Sequence, residues 1–167
     1  INMENEIRIV STKVLSEDQK LPLLSANFSV IDNDFIAIKF HNFSFEKLND
    51  YLIFTSQNAV ESVLLHKDKD QIKTKKAFCV GEKTKKLLEQ NGFEVVLFSD
   101  YAAELASVIF NQYSKSSFTF FSGNLRRNIL PDALQLAQIK MDEIEVYQTV
   151  LTSHKVEARH NGILFFS

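Results

Sequence analysis

Leu52-Ile53-Phe54-Thr55-Ser56, followed by Gln57-Asn58-Ala59-Val60, is the stretch on which the fold turns. An unbroken apolar run is what a strand of a parallel sheet requires, because helices cover it on both faces. Small polar residues directly after the run cap the helix that follows. The pattern recurs. Phe118-Thr119-Phe120-Phe121-Ser122 runs into Gly123-Asn124-Leu125-Arg126-Arg127, and Ile163-Leu164-Phe165-Phe166-Ser167 closes the sequence. The third copy stops where its helix is due, so the sequence is expected to be incomplete at that end. Strand-to-helix junctions of this kind are where open α/β sheets place their ligands.

Outward from these runs the βα rhythm continues. Ile7-Arg8-Ile9-Val10 predicts a first strand ending at Ser11-Thr12, and about Ser16 to Ala26 predicts a helix with Glu17 and Asp18 at its positive end. Phe28 to Ile31 and Phe35 to Phe40 read as extended. From Gln57 to about His66, Val60, Val63 and Leu64 share one helical face, and the Lys- and Asp-rich stretch His66 to Lys76 is expected to be a mobile loop. Ala77-Phe78-Cys79-Val80 stops at Gly81, and the helix after it, about Lys83 to Asn91, ends at Gly92. Strand Glu94 to Phe98 leads through Ser99-Asp100 to a helix ending near Tyr113. A helix is expected from Leu125, with Pro131 starting a second segment because proline cannot sit deep in a helix. Ile139 to Leu151 predicts a long strand, Ile144, Val146 and Val150 on one face and Glu143, Glu145, Tyr147 and Thr149 on the other.

Strands alternating with helices give an α/β fold of doubly wound parallel sheets. Residues 41–146 can close into one domain, whereas the opening βα unit and the last strand can bury their faces only against each other. The economical organisation is a first domain split between 3–35 and 153–167, its remainder missing from the sequence, with 41–146 inserted as a second domain. Strands 36–40 and 147–152 would form a two-stranded linker, and the hinge would leave a cleft between two sheets, a favoured place for a ligand.

Composition narrows the function. The net charge of −2 argues against a nucleic-acid-binding surface, which is broadly basic. Lys73, Lys75, Lys76, Lys83, Lys85 and Lys86 cluster, and a solvated lysine-rich face accounts for them. No apolar stretch approaches the ~20 residues of a membrane helix, and no secretory signal precedes the first strand. A single cysteine, Cys79, forms no internal disulfide and fits a reducing, cytoplasmic setting. Glycine fingerprints of dinucleotide and P-loop sites are missing, as is the nucleophile elbow. His41, His66, His154 and His160 lack ligand-like spacing, so no metal and no cofactor are expected. A first strand ending in Ser-Thr rather than an acidic pair speaks against a receiver-type interaction domain.

Three junctions should lie side by side on one sheet edge: Thr55-Ser56-Gln57-Asn58, Val80-Gly81-Glu82-Lys83-Thr84 and Ser122-Gly123-Asn124-Leu125-Arg126-Arg127. Each alone reads as an ordinary N-cap. Together, with arginines beside the third, they suit a multi-carboxylate or phosphate ligand bound through backbone N–H groups.

Leu-Ile-Phe-Thr-Ser-x-x-Ala-Val (52–60), Val-Gly-x-x-Thr (80–84), Gly-Asn-Leu-Arg-Arg-x-Ile-Leu-Pro (123–131) and Val-Tyr-Gln-Thr (146–149), in that order, resemble the uroporphyrinogen-III synthase family. The resemblance runs from about Ile7 to the end. It implies two flavodoxin-like α/β domains joined by a two-stranded ladder, the first split by insertion of the second. It further implies a monomeric lyase of haem biosynthesis that closes hydroxymethylbilane, a linear tetrapyrrole with eight carboxylates, into uroporphyrinogen III with inversion of ring D through a spiro intermediate, without metal or cofactor. The small-molecule substrate would be the only partner, with neither nucleic acid nor membrane.

By the same resemblance Tyr147 is the tyrosine at the cleft and the candidate proton donor for hydroxide departure; read by itself it is an ordinary exposed strand tyrosine. Thr55, Ser56, Gly81, Thr84, Ser122, Gly123, Asn124 and Arg127 match substrate-binding loop positions. Glu104 matches an acidic position, although a solvated helix residue describes it equally well, and Asn58 stands where some members carry arginine. The rival reading is a non-catalytic two-lobed α/β module that binds an anionic metabolite through the same loops.

Overall fold

The structure, a computed structural model, describes residues 7–152, 160 and 162–165. Phe166 and Ser167 of the third Phe-Ser run lie outside the described residues, as does most of the expected 153–167 segment. In chain order the elements are β1 (Ile7–Ser11), α1 (Glu17–Ser25), β2 (Phe28–Asp32), β3 (Ile36–Phe40), β4 (Tyr51–Phe54), α2 (Gln57–Leu64), α3 (Lys69–Lys73), β5 (Lys76–Val80), α4 (Glu82–Gln90), β6 (Val95–Ser99), α5 (Ala102–Gln112), β7 (Phe118–Gly123), α6 (Ile129–Leu136), β8 (Met141–Leu151) and β9 (Gly162–Leu164). The chain divides into two units: residues to Ala37 with those from Val150 onward, and Ile38–Thr149.

In the first unit β1 is the central strand, parallel to β2 on one side and to β9 on the other, so both ends of the sequence build one sheet. Val10 and Leu15 are buried, but α1 buries none of its residues. Asp32 ties the loop down by accepting from the Leu15 N–H at 2.7 Å and pairing with Lys20 at 3.0 Å.

The second unit is a six-stranded sheet of order β3-β8-β7-β4-β5-β6. The pairs β4–β5, β4–β7, β5–β6 and β7–β8 are all parallel. Counting the five strands from β4 in chain order, they lie 3-2-1-4-5 across the sheet. The doubly wound class is the one read from the sequence; its strand order is not the 2-1-3-4-5 of flavodoxin. The apolar runs explain the layering. Leu52, Phe54 and Phe121 point into one cluster with Val60 and Val63 of α2 and Leu88 of α4. Ile53, Phe118 and Phe120 point into the other with Leu105 and Ile109 of α5 and Leu130 and Leu134 of α6. Each fully buried side chain of this size contributes about 2–3 kcal/mol.

Local departures from the sequence reading have physical causes. Residues 66–76 are not a free loop: α3 forms there because Ile72 is buried under the α2/α4 cluster. The last helix starts at Ile129 rather than Leu125, which puts Pro131 in its first turn, where a missing N–H is harmless. Asn49 is buried and donates through Nδ2 to the Phe118 carbonyl and to Asp142, both at 2.8 Å, fastening the segment before β4 to β7 and β8.

Candidate functional site

Going along the sheet, β5 and β6 lie on one side of β4, while β7, which follows β6 in the chain, lies on the other. The β4–β7 neighbourhood is therefore the topological switch point, where the two connections diverge to opposite faces and leave a crevice at the carboxyl ends of the strands. A cavity of about 600 Å³ occupies that place, built wholly from the second unit. Thr55 and Ser56 line it from the end of β4, Gly123 from the end of β7, and Leu125, Arg126 and Arg127 from the turn beyond. Phe120, Ile129 and Leu130 form its apolar side, Tyr147 lines it from β8, and Asp100, Tyr101, Ala102 and Ala103 from the start of α5.

Tyr147 owes its place to a β-bulge. Ser122 is in register with Glu145, but Gly123 is in register with Tyr147, so Val146 is an extra residue on β8. The bulge is held from both sides: the Val146 side chain is fully buried, and its carbonyl accepts from Ser62 Oγ at 2.6 Å and from the His41 N–H at 2.9 Å. The face assignment made from simple alternation fails here. Tyr147 packs against the same cluster as Ile144 and Val146 rather than continuing the face of Glu143 and Glu145. Its ring lies directly over Gly123, where a Cβ would come within 2.7 Å of the Tyr147 hydroxyl oxygen and closer still to Cζ. Only glycine leaves that space. No hydrogen bond reaches the Tyr147 hydroxyl among the described residues, and no buried side-chain polar atom there lacks a partner, so the hydroxyl is accessible, on a residue that lines the cavity.

The turn 124–128 is fastened to β8. Asn124 Oδ1 accepts from the Thr149 N–H at 2.8 Å, and the Asn124 N–H donates to the Tyr147 carbonyl at 3.2 Å. Glu143 receives the Ser122 hydroxyl at 2.6 Å and Arg126 Nη2 at 2.9 Å, while Arg126 Nε also donates to it. Burial pushes the Glu143 carboxyl up, but the hydrogen bonds and charge of Arg126 with the Ser122 hydroxyl outweigh it, leaving the group below the ordinary carboxylate range. Arg127 is exposed at the cavity and pairs with no carboxylate among the described residues.

Of the residues singled out from the sequence, Thr55, Ser56, Gly123, Arg127 and Tyr147 meet in this cavity. Ser56 caps α2 by accepting the Ala59 N–H at 3.1 Å, which leaves its own hydroxyl hydrogen free to donate. Ser122 is buried with its hydroxyl given to Glu143, and Asn124 spends its side chain on the Thr149 backbone, so both shape the cavity rather than line it. Gly81 and Thr84 are not at the cavity wall. Gly81 caps α4 with φ of +91°, and α4 packs on the α2 face, away from α5 and α6, with Thr84 buried beneath it. Glu104 is exposed on α5 and Asn58 half-buried on α2, neither lining the cavity. The sequence reading passed over the Asp100–Ala103 wall and Ser62. The first was legible as a fourth strand-to-helix junction, Ser99-Asp100-Tyr101. Ser62 gave no signal, because a lone serine in a helix does not announce its acceptor.

A family model described as uroporphyrinogen-III synthase HemD matches residues 22–167. The uroporphyrinogen-III synthase of Saccharomyces cerevisiae is 30% identical over 117 residues, taking in 60% of this chain and 42% of that protein. Among solved structures, uroporphyrinogen-III synthetase from Helicobacter pylori superposes with a TM-score of 0.65 at 20% identity, over 90% of this chain and 65% of that one. A mutant uroporphyrinogen III synthase from the extremely thermophilic bacterium Thermus thermophilus gives 0.61 at 11% identity, over 87% and 64%. At such identities the structural likeness is one of fold. The chain spans less than half the length of the curated relative and just under two thirds of either solved structure.

Proposed function

The chain belongs to the uroporphyrinogen-III synthase family, and from that premise we propose that the protein cyclises hydroxymethylbilane to uroporphyrinogen III, a cofactor-free lyase step of tetrapyrrole and haem biosynthesis carried out by a cytoplasmic monomer. The observation that carries the reading is the open Tyr147 hydroxyl above Gly123, in one cavity with Arg127, Thr55 and Ser56.

The chemistry follows from those groups. Tyr147 gives its proton to the hydroxymethyl oxygen as the C–O bond breaks, so that water leaves and an electrophilic azafulvenium cation remains beside the tyrosinate, which takes back the proton that the macrocycle releases on closure. The substituted carbon of ring D attacks the cation, giving a spiro intermediate that fragments and recloses with the ring inverted. Uncatalysed closure gives the uninverted isomer, so the protein's larger task is to hold the chain folded for attack at the substituted carbon. Arg127 and the hydroxyls of Thr55 and Ser56 grip substrate carboxylates, Arg127 by charge and in a fork that suits them, and the apolar wall of Phe120, Ile129 and Leu130 takes a pyrrole ring.

The test is incubation of the full-length protein with hydroxymethylbilane and isomer analysis of the oxidised porphyrins. Isomer III is expected as the dominant product. Isomer I alone, formed at the spontaneous rate, overturns the reading and leaves a module that binds an anionic metabolite.

A further inference from the structure

Two adjacent arginines line the cavity, and they are not equivalent. Arg126 meets Glu143 in a two-point contact, Nε to Oε1 and Nη2 to Oε2, the latter at 2.9 Å, while its Nη1 donates to Asn128 at the cap of α6. Glu143 Oε1 also takes the Ser122 hydroxyl at 2.6 Å. One carboxylate on β8 thus gathers the end of β7, the turn and, through Arg126, the start of α6. A guanidinium held at both prongs by a carboxylate has its charge matched and its fork filled. Arg127 has no such partner among the described residues.

We propose that Glu143 is a positioning residue: acting through Arg126, it fixes the 124–128 turn so that Arg127 alone presents an uncompensated cation to a carboxylate of the bound ligand. The inference rests on the reading of the cavity as a polycarboxylate site, and it divides labour between two arginines adjacent in the sequence. It also fixes the sign of a substitution. If Glu143 only lowered the local positive potential, removing its charge would tighten anion binding. As a positioning residue, its loss weakens binding, because Arg127 is no longer held in place.

The experiment is calorimetric titration of the full-length protein with benzenehexacarboxylate, on wild type, R127Q, R126Q, E143Q and the R126Q/E143Q double variant. R127Q is expected to weaken binding most, by about tenfold or more, the equivalent of one charge-assisted pair. R126Q and E143Q should each weaken it severalfold, and the double variant no more than R126Q alone, the non-additivity of residues that act as one unit. Tighter binding by E143Q, additive losses, or an R127Q that binds like wild type overturns the proposal. If E143Q does not fold, E143D keeps the charge and shortens the reach: weaker binding supports positioning, and unchanged binding refutes it. A wild type that ignores the probe removes the premise and the proposal together. Isomer analysis of the same wild-type preparation separates the two failures, since isomer III can form while the arginine assignments are wrong.

Discussion

The turns that follow β7 and β5 begin alike, with a glycine at the carboxyl end of a buried parallel strand, yet only the first builds the cavity. After β5 the helix starts at once: Gly81 is itself the cap of α4, and Val80 alone of that junction lines the cavity wall. After β7 the helix is delayed to Ile129, leaving residues 124–128 outside regular structure, to be pinned on β8 by Asn124 and Arg126. Their positions in the sheet differ as well. β7 borders the switch point with β4, whereas β5 lies one strand beyond it. Of these two turns, the one that builds the cavity has residues to spare and stands where the strand order reverses.

The largest effect is expected at the residue the β7 turn faces. Tyr147→Phe removes the donor and leaves the ring over Gly123; isomer III formation should slow by about 100-fold or more with the melting temperature unchanged, and full activity would take Tyr147 out of the mechanism. The same substitution in the two turns comes next. Gly123→Ala forces a methyl group into the Tyr147 ring and should cost about 1–3 kcal/mol of stability together with most of the activity. Gly81→Ala strains a backbone at positive φ and should also cost about 1–3 kcal/mol, read from urea midpoints, but with far less loss of turnover. Equal loss of turnover in both would mean that the β5 turn belongs to the site after all.

Smaller effects sharpen the picture. Ser62→Ala removes the bond to the Val146 carbonyl, which keeps the His41 N–H; a loss of about 1 kcal/mol is expected, with a drift in turnover if the bulge relaxes. A pH series tests the half-buried link at the β7 turn. Because the folded-state value of Glu143 is depressed, its contribution is complete above the ordinary carboxylate value of 4.5 and is lost as pH falls through the depressed one. Urea midpoints of wild type should therefore fall more between about pH 5.5 and pH 3.5 than those of E143Q. Glu82 at the β5 turn is also depressed, through its bond to Lys86, but it is exposed, and E82Q should leave that slope nearly unchanged.

Much of the second unit was legible because its strands are continuous apolar runs. Phe118 to Phe121 can sit only where both faces are covered, and that requires helices on each side. Thr55, Ser56 and Gly123 line the cavity because they close such runs, whereas Arg127 was set apart from Arg126 by resemblance alone. Thr84 also follows a strand-ending glycine but does not line the cavity, because nothing local says which face its helix will take. Tyr147 was found by resemblance, and the alternation used to place it was wrong by the one residue that the bulge inserts.

By itself, then, the sequence determined the parallel α/β class and the edge of the sheet on which polar junctions gather. These follow from local hydrophobic pattern and capping chemistry, which short stretches carry alone. Tertiary structure decided which junctions meet. Strand order chose β4 and β7 as neighbours, the Val146 bulge turned Tyr147 onto Gly123, and Glu143 took Arg126 rather than Arg127. Each of those outcomes depends on groups far apart in sequence competing for one partner, and that competition is settled only when the sheet is assembled.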